Sequence, residues 1–279
     1  MDVLSIDTRS TPFDTRLPPV LPALVRAPGV WTALGWITLY FVLQLAGGTL
    51  AALALAIASG SLHSWQGLLH FDDVLGAMLE QPGMQSLLAI LTLAVAAIPI
   101  LLLTRRRWPR LWPVGRPPGF GFAAPATSRY LLLAVVVGVL ATMLGGWLTD
   151  WLAHGQTVTQ NIEQLGKSTS LGWRIPLALM AVSLGPLVEE LLFRGVLLSA
   201  LLQRWGSATA ILLSSLLFAL MHLPGLNWQV FAVPNLLLLA LALAWLRLRS
   251  ESIWPSVLAH GTYNLMAVVA WFLAAPLGG

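Results

Sequence analysis

Seven stretches of apolar residues leave this chain few ways to fold. They run over Trp31–Ala58, Leu87–Leu103, Leu131–Trp151, Trp173–Gln203, Ala208–His222, Ala232–Leu246 and Trp254–Leu273. A membrane-spanning helix needs about 20 predominantly apolar residues. In hydrocarbon every backbone polar group must be satisfied inside the protein, which confines spanning structures to helices and closed barrels. The expected fold is therefore an all-α polytopic membrane bundle with seven to eight transmembrane helices, eight if the fourth stretch splits. Composition agrees: 57% of the 279 residues are hydrophobic and 9% charged, against about 25% charged in soluble domains.

The basic residues orient the bundle. The net charge is +4, and Lys167 is the only lysine. With the N-terminus inside, the inner segments hold Arg9, Arg16, Arg26, Arg105, Arg106, Arg107, Arg110, Arg116, Arg129, Arg204, Arg247 and Arg249. The outer loops hold Lys167, with Arg174 at a boundary. That asymmetry follows the positive-inside bias of membrane loops and predicts an N-terminus in the cytoplasm. Residues 1–29, polar and proline-punctuated, read as a cytoplasmic tail, and 30–172 as the N-terminal transmembrane helices and loops. The first apolar run is long enough to span and reads as a retained helix rather than a cleaved leader. Within the loop 59–85, Trp65 to Leu79 reads as a short interfacial helix, and His63 and His70 as solvated loop histidines. The stretch 153–172 reads as a polar loop, and Gly138, Gly145 and Gly146 give the third run a small-residue face for close helix packing. No basic stripe interleaved with aromatics is present, so the expected surroundings are a lipid bilayer and not nucleic acid. The arginine-over-lysine bias and the wealth of Ala and Leu point to a bacterial inner membrane. Absence of cysteine excludes disulfides, a cysteine nucleophile and thiolate metal sites.

Against this background Glu189-Glu190-Leu191-Leu192-Phe193-Arg194 stands out, because it lies inside the fourth apolar run. A charge at the centre of a membrane helix costs roughly 2.5–3.5 kcal/mol on insertion scales. Glu190 and Arg194 are spaced i,i+4 and share a helix face, so Arg194 can neutralise Glu190. Glu189 points about a quarter-turn away and is free to face another helix. A thirty-one-residue helix would be ~46 Å long, longer than the hydrocarbon core, and a kink at Gly185-Pro186 is expected. His222 ends the fifth run one turn after Phe218, which reads as core or a pocket wall. His260 and Asn264 share a face of the seventh. A convergent cavity holding a carboxylate, two imidazoles and an amide explains them together. Those groups suffice to activate water and to stabilise an oxyanion. No serine or cysteine is similarly placed as nucleophile, which favours direct attack by water. Zinc held by Glu189, His222 and His260 is an alternative by ligand type, although no His-Glu-x-x-His motif occurs.

The three motifs Glu-Glu-x-x-x-Arg at 189–194, Phe-x-x-x-His at 218–222 and His-x-x-x-Asn at 260–264 resemble, in this order on membrane helices, those of the CPBP family. These CAAX protease and bacteriocin-processing proteins, also called the ABI family, include the type II CAAX prenyl endopeptidases. The resemblance covers roughly residues 173–275, which it marks as the catalytic helical core. It implies an intramembrane endopeptidase acting on a peptide or membrane-protein segment, without a cofactor. It also implies that Glu189 and His222 activate water, that His260 and Asn264 form the oxyanion hole, and that Glu190 and Arg194 support them. Two other functions fit polar groups inside a membrane bundle: a proton- or ion-coupled transporter, and a non-catalytic immunity or scaffold protein. One geometric conflict stands in the simple topology. His222 lies near the outer end of its helix and His260 about two turns from the inner end of its own, a difference on the order of 10 Å in depth.

Overall fold

The computed structural model describes residues 27–60, 69–81, 83–156 and 161–273. The tail up to residue 26, His63 and the first part of the expected interfacial helix lie outside them. The described residues form α1 (Val30–Ala58), α2 (Phe71–Leu79), α3 (Met84–Arg107), α4 (Arg129–Ala153), α5 (Asn161–Ser168) and α6 (Leu171–Val182). Then come α7 (Leu184–Glu190), a π-helical stretch Leu191–Leu197, α8 (Leu198–Leu202), α9 (Ser207–Met221), α10 (Val233–Ser250) and α11 (Trp254–Leu273). No strand occurs among the described residues. Six spans are long and apolar enough to cross a membrane, and α9 is a shorter apolar helix of 15 residues. The fold is an all-α polytopic bundle, and its fourth span, Leu171–Leu202, is assembled from the α6–α8 pieces.

Glycines set the closest helix approaches. A Cβ at Gly138 would lie 2.6 Å from the Ala259 carbonyl oxygen, and one at Gly145 would collide with the Asn235 side chain. These two residues, seven apart, pack α4 onto α11 and α10, while Gly146 meets nothing within 4 Å and faces away. On the other flank, Gly47 and Gly48 of α1 abut Val95 and Thr92 of α3.

The segment between Arg107 and Arg129, which joins the second and third apolar runs, is a folded plug. Trp108, Leu111 and Phe120 are buried in the main core. Trp36 meets Trp108 edge-on at 5.1 Å, Trp108 meets Phe120 at 5.8 Å, and Trp112 stacks on Phe122 at 3.9 Å. Backbone bonds staple it to the α10–α11 turn: Ile253 N–H donates to the Gly121 carbonyl at 2.8 Å and Ala126 N–H to that of Ser250 at 2.9 Å. The buried Arg247 donates through Nη2 to the Gly119 carbonyl at 2.7 Å. Gly121 takes φ +84°, and a Cβ there would meet the Arg247 guanidinium at 2.7 Å. Both its backbone conformation and its surroundings therefore require glycine. The 153–172 stretch, read as a polar loop, also contains structure, the short α5. Eight residues are too few for a convincing apolar period.

Candidate active site

The fourth span breaks just before its glutamates. Pro186 has no N–H and its ring presses on the carbonyl four residues earlier, that of Val182. The break accordingly falls at Ser183 (φ −125°, ψ −76°), three residues before the proline. The Val182 oxygen turns toward α11, where a Cβ on Gly261 would stand only 2.6 Å from it. After Glu190 the chain widens into seven π-helical residues, all buried. Such turns are rare and occur frequently at functional sites.

Glu190 is fully buried, and its Oε1 accepts two bonds: Arg194 Nη1 at 3.0 Å and His260 Nδ1 at 3.0 Å. Arg194 donates through Nη2 to the Ala240 carbonyl at 3.2 Å, and its guanidinium lies 4.3 Å from the centroid of the Phe218 ring. Phe218 is fully buried and also meets His222 at 4.4 Å and His260 at 5.6 Å. One aromatic ring thus touches the guanidinium and both imidazoles.

Glu189, with 23% of its side chain exposed, faces the opposite way, into the cavity. Its Oε2 lies 3.5 Å from His222 Nε2 and 3.8 Å from His260 Nε2. The expected depth difference between the histidines is therefore absent, since both reach one carboxylate oxygen. Their tautomers follow from what the other ring nitrogen touches. His222 Nδ1 lies 2.8 Å from the Phe218 carbonyl, which can only accept, so Nδ1 carries the proton. His260 Nδ1 faces the Glu190 carboxylate and donates to it in the same way. Both Nε2 atoms are turned toward Glu189. Two carboxylates against one guanidinium leave a net negative charge in a buried place, a costly state unless further paired.

Asn264 donates through Nδ2 to the Ala181 carbonyl at 2.8 Å, at the end of α6. Its second amide hydrogen is left over, and the residue lines the same cavity of about 320 Å³ as Glu189, His222, His260 and Phe218. Thr142, Tyr263 and Trp271 are among the further lining residues that sequence reasoning missed. Tyr263 sits inside the His-Gly-Thr-Tyr-Asn stretch, and its hydroxyl accepts from Asn235 Nδ2 at 3.1 Å. The polar Asn235 near the start of an apolar run was the available signal. His70, in contrast, is exposed and does not border this cavity. Two imidazoles and a carboxylate are donor types that zinc takes, yet among the described residues no group of three or more His, Cys, Asp or Glu is placed to hold a metal ion.

Fold and cavity define the class: an integral membrane helical protein with a largely apolar cavity of about 320 Å³ into which a carboxylate, two imidazoles and an amide converge. Residues 171–266, the segment that carries all three motifs, match the family model described as type II CAAX prenyl endopeptidase Rce1-like. No curated protein and no solved structure gives a significant match.

Proposed function

We propose that the protein is an intramembrane endopeptidase in which Glu189 activates water for direct attack on a peptide carbonyl. The observation that carries this reading is the convergence of both histidine Nε2 atoms on Glu189 Oε2, at 3.5 and 3.8 Å. A water hydrogen-bonded between Glu189 and His222 loses its proton to the carboxylate as the hydroxide attacks. The chamber's apolar wall, with Leu93, Met180 and Leu236, keeps bulk water from competing for these groups.

His260 and Asn264 then face the developing oxyanion. His260 can donate from Nε2 only as the imidazolium, since its Nδ1 proton is committed to Glu190. The Glu190 carboxylate fixes the orientation of that ring, much as a buried carboxylate orients a catalytic histidine. Asn264 offers its remaining amide hydrogen, with the bond to Ala181 fixing the side-chain plane. Glu189 finally returns its proton to the leaving amine. The substrate is a peptide or a membrane-protein segment, and the protein sits in a bacterial inner membrane.

Purified protein incubated with a peptide library tests the proposal. Cleavage by wild type, lost in both Glu189→Gln and His222→Ala, is the expected result. Cleavage that survives Glu189→Gln removes Glu189 from the chemistry, and solute flux through liposomes without cleaved peptide would favour a transporter.

A further inference from the structure

The cavity occupies one half of the bundle. On α3 it is lined by Ala89, Ile90 and Leu93, within about 14 Å of Met84 and no nearer than about 18 Å to Arg105 at ~1.5 Å per residue. On α10 it touches Leu236 and Leu239, near the helix start and away from Arg247 and Arg249. On α11 it runs outward from His260 to Trp271, about 16 Å. In the other half Ile100, Leu197, Ala244 and Ile253 fill the core and Trp108 and Phe120 of the plug close its end, while a groove of about 600 Å³ bordered by Leu131, Leu187, Trp254 and Leu258 touches none of Glu189, His222, His260 and Asn264. A second cavity of about 380 Å³ borders His222, Ala89 and Ile162 together with Asn161, Gly225 and Leu226. It continues the first toward α5 and the 223–226 turn.

Charge and aromatics label the two ends. At the plug end Arg105, Arg106, Arg107, Arg110, Arg116, Arg129, Arg204 and Arg249 are all exposed. At the cavity end, among the described residues, Lys167 is exposed and Arg174 is buried with its guanidinium on the Thr169 carbonyl. Exposed tryptophans rim both ends, Trp147, Trp151 and Trp228 at the cavity end and Trp205 and Trp254 at the plug end. Trp147 is about 27 Å along α4 from Arg129, close to the hydrocarbon thickness of a bilayer.

We infer that the chamber is entered between α5 and the 223–226 turn, from the membrane face opposite the arginine collar. By the positive-inside rule that is the non-cytoplasmic face. Its substrates are then peptide segments exposed on the non-cytoplasmic side, such as loops or ends of exported and membrane proteins. The word substrate rests on the protease reading; the side of entry does not.

The cysteine-free chain makes the test direct. Gly206 and Gly225 flank α9 at its two ends, both are exposed, and a Cβ at either meets nothing within 4 Å. Gly206→Cys and Gly225→Cys are each treated with a membrane-impermeant maleimide on intact cells and again after permeabilisation. Gly225→Cys is expected to label on intact cells and Gly206→Cys only after permeabilisation. Protection of Gly225→Cys on intact cells overturns the inference, and so does labelling of both positions from outside. Should either variant fail to accumulate, Asn161→Cys and Arg110→Cys report the same two ends. Labelling needs no catalysis, so a labelled Gly225→Cys without any cleaved peptide would remove the protease reading and leave the side of entry standing.

Discussion

Two adjacent carboxylates carry different loads. Glu190 Oε1 binds both Arg194 and His260, so replacing it strands a guanidinium and releases an imidazole. Removing one partner of a buried ion pair costs about 3–5 kcal/mol. We expect Glu190→Gln to lower the unfolding temperature sharply and to reduce cleavage with it. Glu189 borders the cavity, and Glu189→Gln should leave thermal unfolding nearly unchanged while abolishing cleavage. Thermal unfolding and peptide cleavage measured on both variants separate the roles. In the proposed mechanism Asn264→Ala would remove one oxyanion donor, worth roughly 10²–10³ in kcat in comparable sites; a loss of that size in kcat with KM little changed is expected from steady-state kinetics. The Glu190–Arg194 pair is legible in the sequence because i,i+4 spacing is local. The bond from His260 to Glu190 is not, since it depends on the rotation and depth of two helices 70 residues apart.

Among the elements, the seam between the broken fourth span and α11 positions the site. It is held by the Val182 carbonyl against Gly261 and by Asn264 on the Ala181 carbonyl. Gly261→Ala would place a Cβ 2.6 Å from the Val182 oxygen and should force the helices apart, with loss of both cleavage and thermal stability. Gly146→Ala, with nothing within 4 Å, should be neutral to slightly stabilising, since glycine costs about 1 kcal/mol relative to alanine inside a helix. A thermal unfolding comparison of these two variants checks the assignment of tight and open faces. The kink near Gly185-Pro186 is readable from the proline itself, though the backbone breaks at Ser183 because proline acts on the carbonyl behind it. The π-helical widening after Glu190 has no such marker, as Leu191–Leu197 is an ordinary apolar run in sequence.

For the whole molecule, long apolar runs made the bundle readable, and the arginines marked its two ends; the expected seven to eight spans became, among the described residues, six helices long enough to cross and the shorter α9. The plug was not readable: arginines, prolines and glycines between Arg105 and Arg129 look like a loop until Phe120 and Trp108 are seen in the core and Arg247 beneath Gly119. Nor was the common depth of His222 and His260, which follows from how α9 and α11 are offset. The chamber's chemistry as proposed uses a carboxylate, imidazoles and water, so cleavage should persist at full rate in the presence of a zinc chelator; a chelator-sensitive rate that zinc restores would assign the three groups to a metal. The most direct measurement is cleavage of a peptide substrate by purified wild type and Glu189→Gln, with folding of both verified by thermal unfolding. The proposed role of Glu189 predicts cleaved peptide from the first and none from the second. Undiminished cleavage by a folded Glu189→Gln would contradict it.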